Sequence, residues 1–545
     1  MRTPRRPQPP SRRCRPSLSG ARPSRSTSRA SPSCPCRAPT STRPTTTSSP
    51  RTSSAGTPAC RSVWGTSGWC SCPDPTSCSS RIPRLSPSVS WPPAVTEPGI
   101  LELSLAEIAA AVRAGEADGR ELASVARERI ARSRTGAVVG RLVEPVVSSS
   151  GPLAGIPTLL KDLQADAADL PLVRGSRAFA EATPRGDSTL VARLRSAGAS
   201  ILGRTNTPEF GLNLTTEPLQ WGPTRNPVDP QRSAGGSSGG AAAAVAEGLV
   251  PFAHATDSGG SIRIPSAWCG VVGFKPSRGA IPAGPYRLDD WQGMSHEFAI
   301  TRTVADAAYL FRVVRGPAPG EWQPPVAELP GSMRSRVGVV VSSPVGEVDP
   351  VWAGAAAAAA TTLRDRGHEI VELGPVGCAT RIGPVFGRVV AAHLARLLPD
   401  PSRDRLLEPA VAEVVQLGRS MSAAQFIETV DELHDLGREL ADGFADVDLV
   451  LSPTTAVGAP AIGEVRTDRP SVELFRDIFR ISPFAAMFNV TGGPAISVPW
   501  GRGPDGMPVG VQLGAAPGQD ARVLSVALEI EDAAAAAGHS RASRP

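Results

Sequence analysis

The sequence predicts an α/β domain built around one largely buried sheet. Along the 545 residues, helical patterns alternate with short apolar runs, as expected when strands and helices follow one another. No apolar run approaches the ~18 residues of a membrane-spanning helix. After residue 100 there is neither an internal repeat nor a Pro/Gly-rich linker, so we expect one large domain.

The first predicted element is a helix in "LELSLAEIAAAVRAGE". Ser104 and Glu107 have the spacing of a capping box, and Gly115 stands where a helix commonly ends in a left-handed residue. The apolar residues at helical spacing are Leu105, Ile108 and Val112. This segment therefore marks the start of folded sequence.

Further elements follow in the same alternation. "TLVARLRSAGASILGRT" predicts a helix and then a strand, and "SRVGVVVSSP" predicts a strand. The Ala-rich stretch "AGAAAAAATTLRDRGHEIVELGP" predicts a helix leading into a strand, and "VDLVLSPTT" predicts one more.

Residues 1–95 have a different composition from the rest of the chain. Residues 1–96 hold 15 arginines and a single acid, Asp74, for a net charge of +14, whereas the remainder carries −8. The basicity that would indicate nucleic acid therefore belongs to this segment. Rich in Ser, Pro, Arg and Thr, it predicts a disordered tail before an enzyme domain at 96–545. Its composition fits a transit peptide, but we favour an upstream stretch outside the functional protein.

Cysteine usage also distinguishes the tail from the rest of the chain. Seven of the nine cysteines are in the tail, and "CPC" and "CSC" lack the C-x-x-C spacing of a zinc site. Cys269 and Cys378 remain, far apart in the sequence. Two distant cysteines favour a reduced, cytoplasmic enzyme over a disulfide-linked protein.

Lysine is almost absent. Of 57 basic residues, only Lys161 and Lys275 are lysines. Unlike arginine, a desolvated lysine can lose its proton near neutral pH. We therefore interpret Lys161, in "GIPTLLKD", as a candidate base, and we expect Lys275, in "GFKPS", to be structural.

The stretch "GGSSGG" allows several interpretations. Taken alone, it is typical of a flexible linker. Gly235, Ser237 and Gly239 match G-x-S-x-G, but a nucleophile elbow needs an apolar strand before it and a histidine partner, and "NPVDPQRSA" is polar. Neither H-E-x-x-H nor S-x-x-K occurs. What remains is a serine hydrolase whose base is a lysine.

Longer motifs carry a family resemblance. "GIPTLLKD", "GGSSGG" and "TDSGGSIRIPS" occur in this order, followed by "WCGVVGFKPSRG", "LSPTT" and "FNVTGGPAISVPWG". Over about residues 100–535 the chain resembles the amidase signature family of serine hydrolases. The resemblance implies the family fold: one large mixed β-sheet covered by α-helices on both faces.

The resemblance also implies the site residues. Ser261 matches the nucleophile, Ser237 the bridging serine on a cis peptide bond, and Lys161 the base. The backbone N–H groups implied for the oxyanion hole are those of Ser258, Gly259, Gly260 and Ser261. Glycines at 259 and 260 let several N–H groups converge on one point.

Supporting roles are expected for neighbouring residues. Asp257 and Arg263 are expected to pair and hold the loop, and Ser238 to donate a supporting hydrogen bond. Asp162, beside the lysine, is expected to be a local acceptor. Tyr286 and Trp291 are candidates for an apolar pocket wall.

The predicted function is hydrolysis of a non-peptide amide through an acyl-enzyme, with release of ammonia or an amine. The resemblance is closest to members that act on such amides, including cyclic nylon-oligomer dimers. We expect a small-molecule amide as partner, with neither metal nor organic cofactor, and neither nucleic acid nor membrane; a homodimer stays open. Two alternatives also stay open: the ammonia-generating subunit of a glutamyl/aspartyl-tRNA amidotransferase, and a non-catalytic binding descendant.

Overall fold

One mixed sheet organises the computed structural model, which describes residues 99–179, 183–286, 291–318 and 334–538. Within these residues eleven strands run in the order β1-β3-β2-β4-β6-β5-β10-β11-β9-β7-β8. The strands are β1 Val138–Val139, β2 Pro157–Lys161, β3 Ser200–Thr205, β4 Phe252–Asp257, β5 Val272–Lys275, β6 His296–Thr301, β7 Arg336–Val339, β8 Glu369–Glu372, β9 Leu449–Pro453, β10 Ala495–Arg502 and β11 Pro508–Gly514. The tail predicted at 1–95 lies outside the described residues.

Strand direction decides which chain segments meet at one edge of the sheet. β2 and β4 are parallel neighbours, and β6 pairs with β4 in the antiparallel sense. The carboxyl ends of β2 and β4 therefore lie beside the start of β6. Every residue of these three strands is buried, including charged and polar side chains such as Lys161, Asp257 and Glu297.

Thirteen α-helices surround the sheet in the described part of the chain. They are α1 Leu105–Ala114, α2 Gly119–Arg132, α3 Thr189–Ser196, α4 Gly239–Ala246, α5 Arg263–Cys269, α6 Val304–Val314, α7 Pro350–Asp365, α8 Ile382–Leu397, α9 Pro409–Ser420, α10 Ala423–Gly443, α11 Ser471–Ile481, α12 Met487–Val490 and α13 Asp520–Ala536. α4 and α5 pack together against the sheet at β4 and β11, while α6 and α13 pack together against it at β6 and β10, and α1 packs on α6. The predicted fold, a mixed sheet with helices on both faces, is confirmed.

The predicted elements are confirmed in detail. The Ser104 hydroxyl accepts from the Glu107 amide at 3.3 Å, Glu107 accepts from the Ser104 amide at 2.9 Å, and Gly115 adopts φ +75°. The predicted helix–strand alternation appears as α3 then β3 and as α7 then β8. Among the described residues we find no helix with the length and apolar character needed to cross a bilayer.

Candidate active site

Lys161 ends β2 with its side chain fully buried. Its Nζ lies 2.7 Å from Ser237 Oγ, 2.9 Å from Ser238 Oγ and 2.8 Å from Thr256 Oγ1. Arg204 donates to the Lys161 carbonyl at 3.2 Å and so anchors the end of the strand. The ammonium group thus faces hydroxyls and has no carboxylate in direct hydrogen-bond contact among the described residues.

Burial dominates the electrostatics of this lysine. It lowers the pKa of Lys161 well below the ordinary 10.5, and the negative charges of Asp257 and Glu297 partly oppose the shift. Since the three neighbours are neutral hydroxyls, each able to donate or accept, the cluster suits a neutral amine as well as an ammonium.

Ser237 and Ser238 lie in the turn that leads into α4. The peptide bond between Gly236 and Ser237 is cis, as the resemblance implied. The Ser238 hydroxyl donates to the Thr256 carbonyl at 3.1 Å, and the Ser238 amide donates to the Ser261 carbonyl at 3.2 Å. The turn is therefore tied to both β4 and the loop that carries Ser261.

A nucleophile elbow at Ser237 does not fit this geometry. Residues 212–238, all described, contain no strand that could lead into the turn. The nearest candidate histidine, His254, uses Nδ1 to accept from the Lys161 amide at 3.2 Å. The lysine, and not a histidine, contacts Ser237.

A buried ion pair shapes the loop between β4 and α5. Arg263 binds both carboxylate oxygens of Asp257, at 2.9 and 2.7 Å, and both side chains are fully buried. Burial alone would raise the pKa of Asp257, but Arg263 holds it well below its usual range. The predicted pairing of these residues is confirmed.

The same carboxylate fixes the backbone around the predicted nucleophile. Asp257 accepts the amides of Gly260 at 2.8 Å and Ile262 at 3.1 Å. The Gly260 amide, which was expected to donate to an oxyanion, is therefore used inside the loop. Gly260 itself has φ +119°, a conformation that favours glycine.

Distant segments complete the support of Arg263. Its guanidinium donates to the Ala485 carbonyl, Gln512 and Asn489 at 2.7 to 2.8 Å. Asn489 in turn donates to the Asp257 carbonyl at 2.9 Å. These contacts satisfy a buried charge that would otherwise be costly.

Two other predicted residues have structural contacts. Asp162 accepts the amides of Val173 at 2.8 Å and Gly175 at 3.1 Å, which confirms it as a local acceptor. Lys275 donates to the Pro276 carbonyl at 2.9 Å.

The two residues predicted for the pocket wall, Tyr286 and Trp291, lie in different environments. Tyr286 is 51% exposed, and its hydroxyl lies against Gly186. Trp291 packs edge-on against Phe386 with ring centroids 5.5 Å apart. A Cβ placed on Gly259 would lie 3.5 Å from the Phe386 ring. Trp291 therefore belongs to an aromatic group beside the loop, whereas Tyr286 is a surface residue; residues 287–290 of the predicted wall lie outside the described ones.

Sequence reasoning missed several residues of this site. Thr256 and His254 could have been found from the sequence. They are two positions apart on the strand that leads into "TDSGGSIRIPS", so their side chains lie on the same face of the sheet. Asn489 and Gln512 carried none, since they lie 226 and 249 positions from Arg263. Phe386 likewise comes from a helix with no recognisable motif.

Comparison with known proteins agrees with the fold. A model of the Amidase family matches residues 139–524. The chain is 37% identical over 459 residues to the 6-aminohexanoate-cyclic-dimer hydrolase of Pseudomonas sp. (strain NK87), covering 77% of this chain and 93% of that protein. A solved structure of 6-aminohexanoate cyclic dimer hydrolase complexed with substrate is 32% identical with a TM-score of 0.73, covering 82% of this chain and 100% of the other.

A more distant structural neighbour is a glutamyl-tRNA(Gln) amidotransferase subunit from Thermotoga maritima. It is 26% identical with a TM-score of 0.68, covering 80% of this chain and 96% of the other. Fold and relatives define a hydrolase that acts on carbon–nitrogen bonds of amides. Within that class, the chain belongs to the amidase signature family, as the motifs predicted.

Proposed function

We propose that this chain hydrolyses a small non-peptide amide with Ser261 as nucleophile, Ser237 as proton bridge and Lys161 as base. The observation that carries the proposal is the 2.7 Å contact between Lys161 Nζ and Ser237 Oγ inside a fully buried cluster. The bond from the Ser238 amide to the Ser261 carbonyl supports it, because it holds the two serine loops together.

The proton route follows from this arrangement. Neutral Lys161 takes the proton of Ser237 while Ser237 takes that of Ser261, whose Oγ attacks the amide carbonyl. When the C–N bond breaks, the lysine returns a proton through Ser237 to the leaving nitrogen. Water then attacks the acyl-enzyme by the same route and releases the carboxylic acid, so each proton is accounted for within the chain and its substrate.

Backbone amides of the loop are proposed to bind the oxyanion. Of the four amides predicted for it, we assign the role to those of Ser258, Gly259 and Ser261, since Gly260 already donates to Asp257. Fixed donors of this kind stabilise charge only where it develops in the transition state. The Asp257–Arg263 pair holds them in place.

The substrate is proposed to be a small amide with an apolar acyl part. Two observations support this: relatives named as hydrolases of a cyclic dimer of 6-aminohexanoate, and the aromatic group at Trp291 and Phe386 beside Gly259. A homodimer and a cytoplasmic location stay predictions.

Two alternatives are less favoured. An ammonia-generating subunit of a tRNA amidotransferase is supported by a neighbour at 26% identity, below the 37% of the cyclic-dimer hydrolase. A non-catalytic descendant has no reason to keep the buried lysine in contact with two serines.

A panel of aryl and alkyl amides tests the proposal. We expect turnover of at least one member and an acyl adduct on Ser261, detected by mass spectrometry after acid quench. Ser261→Ala is the matched control and should show neither. Turnover that survives in Ser261→Ala, or an adduct on another residue, would contradict the assignment.

A further inference from the structure

His254 lies behind Lys161 on β4, the neighbour of β2, and Glu297 lies on β6, the next strand along the sheet. The Lys161 amide donates to His254 Nδ1 at 3.2 Å, and His254 Nε2 lies 3.3 Å from Glu297 Oε2. The His254 side chain is fully buried and that of Glu297 is 7% exposed. Neither residue takes part in the proton route proposed above.

Strand register explains why these side chains meet. In the antiparallel pair of β4 and β6, Thr256 is opposite Glu297 and His254 is opposite Ala299. His254, Thr256 and Glu297 therefore share one face of the sheet, with His254 and Glu297 as diagonal neighbours. Thr256 contacts Lys161 Nζ from this same face.

The hydrogen bond to Nδ1 fixes the tautomer of the neutral imidazole. Because Nδ1 accepts from a backbone N–H, the hydrogen of the neutral ring is on Nε2, next to Glu297. Burial lowers the pKa of His254, against the opposing effect of Glu297, so the ring stays neutral at pH 7. His254 therefore separates two groups of opposite charge without adding one.

The charges that face Lys161 can be named from each element around it. Asp257 on β4, which is paired with Arg263, is the larger negative charge that acts on the lysine. Glu297 on β6 is the second negative charge that acts on the lysine, and Arg204 on β3 faces His254. Glu297 therefore favours the protonated form of Lys161, with the neutral imidazole of His254 between the two side chains.

We propose that Glu297 and His254 are positioning residues for Lys161: His254 fixes the lysine backbone, and Glu297 stabilises the ammonium form that holds the proton between nucleophilic attack and bond cleavage in each half-reaction. The proposal rests on Lys161 being the base. Without Glu297 the desolvated lysine would keep only the Asp257 counter-charge and would bind its proton more weakly, whereas a general base works best with a pKa near the working pH.

The two-lysine composition makes a direct test possible. In a full-length chain labelled with 13C-lysine, only Lys161 and Lys275 give side-chain signals, and Lys275→Arg assigns them. The titration midpoint of Lys161 is read by NMR in wild type and in Glu297→Gln. Glu408→Gln is the matched control, because it also neutralises a buried carboxylate, one whose contacts are Leu219 and Thr467.

We expect the Lys161 midpoint in Glu297→Gln to fall by about one unit or more, the lower end of the range for loss of a nearby opposite charge. The rising limb of kcat/KM against pH should move to lower pH by the same amount, while its plateau falls. Glu297→Asp should restore most of the midpoint, and Glu408→Gln should leave it unchanged.

A second variant covers the case in which Glu297→Gln does not fold. Glu297→Leu removes the same negative charge without leaving an amide to bury, and the Lys161 midpoint should also fall in this variant. A Lys161 midpoint that stays at the wild-type value or rises, in whichever of these variants folds, overturns the proposal. The NMR midpoint does not depend on turnover, so it tests the role of Glu297 separately from the proposed function. Full activity in Lys161→Arg would instead contradict the proposed function.

Discussion

Nζ of Lys161 lies 2.7 Å from Oγ of Ser237, although 76 positions separate the two residues in the chain. The contact joins the end of a buried strand to a turn before α4, and both side chains are excluded from solvent. A lysine in this setting can act as a base because desolvation opposes its charge. We therefore expect activity to depend on this contact and on the loop beside it.

Replacement of Lys161 by arginine should leave a folded protein with little activity. Arginine keeps the positive charge but does not deprotonate, so the proton of Ser237 has no acceptor. We expect kcat/KM to fall by on the order of 100-fold or more, the usual effect of losing a positioned base. Steady-state kinetics together with a thermal melt check this. Retention of more than about a tenth of wild-type activity would show that the lysine supplies only charge or shape.

The pH dependence should follow the lysine. Because the folded pKa of Lys161 lies well below 10.5, the neutral base appears as pH rises through that lowered value. Below it, kcat/KM should increase about tenfold per pH unit and then level off as the amine becomes fully neutral. A profile measured from about pH 5 to about pH 10 tests the sign. Activity that falls over the whole range as pH rises would exclude a lysine base.

A fluorophosphonate probe should label Ser261 and leave Ser237 and Ser238 unmodified. The proposed oxyanion donors are the amides of Ser258, Gly259 and Ser261, so the phosphoryl oxygen is held beside Ser261. Peptide mapping by mass spectrometry locates the adduct. If the label moves to Ser237 in Ser261→Ala, the assignment of nucleophile and bridge must be exchanged.

Loss of the Asp257 charge should destabilise the fold. Asp257→Asn leaves a fully buried Arg263 without its counter-charge, which typically costs about 3–5 kcal/mol. Since the folded pKa of Asp257 is depressed, its stabilisation is present at neutral pH and is lost as pH falls through that low value.

Urea unfolding at pH 7 measures the loss, and Asp468→Asn is the control. Asp468 also pairs with an arginine, Arg466, but the two side chains are 51% and 63% exposed, so its removal should leave the unfolding midpoint unchanged. Equal effects of the two substitutions would mean that burial of the Asp257 pair does not matter.

Gly260→Ala should be much more harmful than Gly259→Ala. At Gly260 φ is +119°, and an added Cβ would lie 2.6 Å from the Cβ of Ala485, so we expect a loss of about 2 kcal/mol or more in unfolding free energy. At Gly259 the nearest atom to an added Cβ is a Phe386 ring carbon at 3.5 Å, an ordinary contact. Urea unfolding of the two variants measures the difference in unfolding free energy. Equal values for both variants would show that the loop relaxes around the added methyl group.

Much of the fold and the site could be predicted from the chain alone. The capping box at Ser104, the alternation of helix and strand, and the pairing of Asp257 with Arg263 depend on local spacing, and all three are present. The sequence did not predict that the Gly260 amide is used inside the loop. The carboxylate of Asp257, three residues earlier, accepts this amide in place of an oxyanion. The position of Tyr286 also differed, because nothing in its neighbourhood indicates which way the side chain faces.

By itself the sequence determined which residues are candidates for the chemistry: one of only two lysines, a serine pair between glycines, and an acidic residue six positions before an arginine. Tertiary structure decided what surrounds them. The order β2-β4-β6 brings Lys161, His254 and Glu297 onto neighbouring strands, and Asn489 reaches Arg263 from 226 positions away. Side-chain periodicity along one strand gives the face on which a residue lies. It does not give the neighbouring strand, and it is the neighbouring strands that exclude water from Lys161 and so lower its pKa.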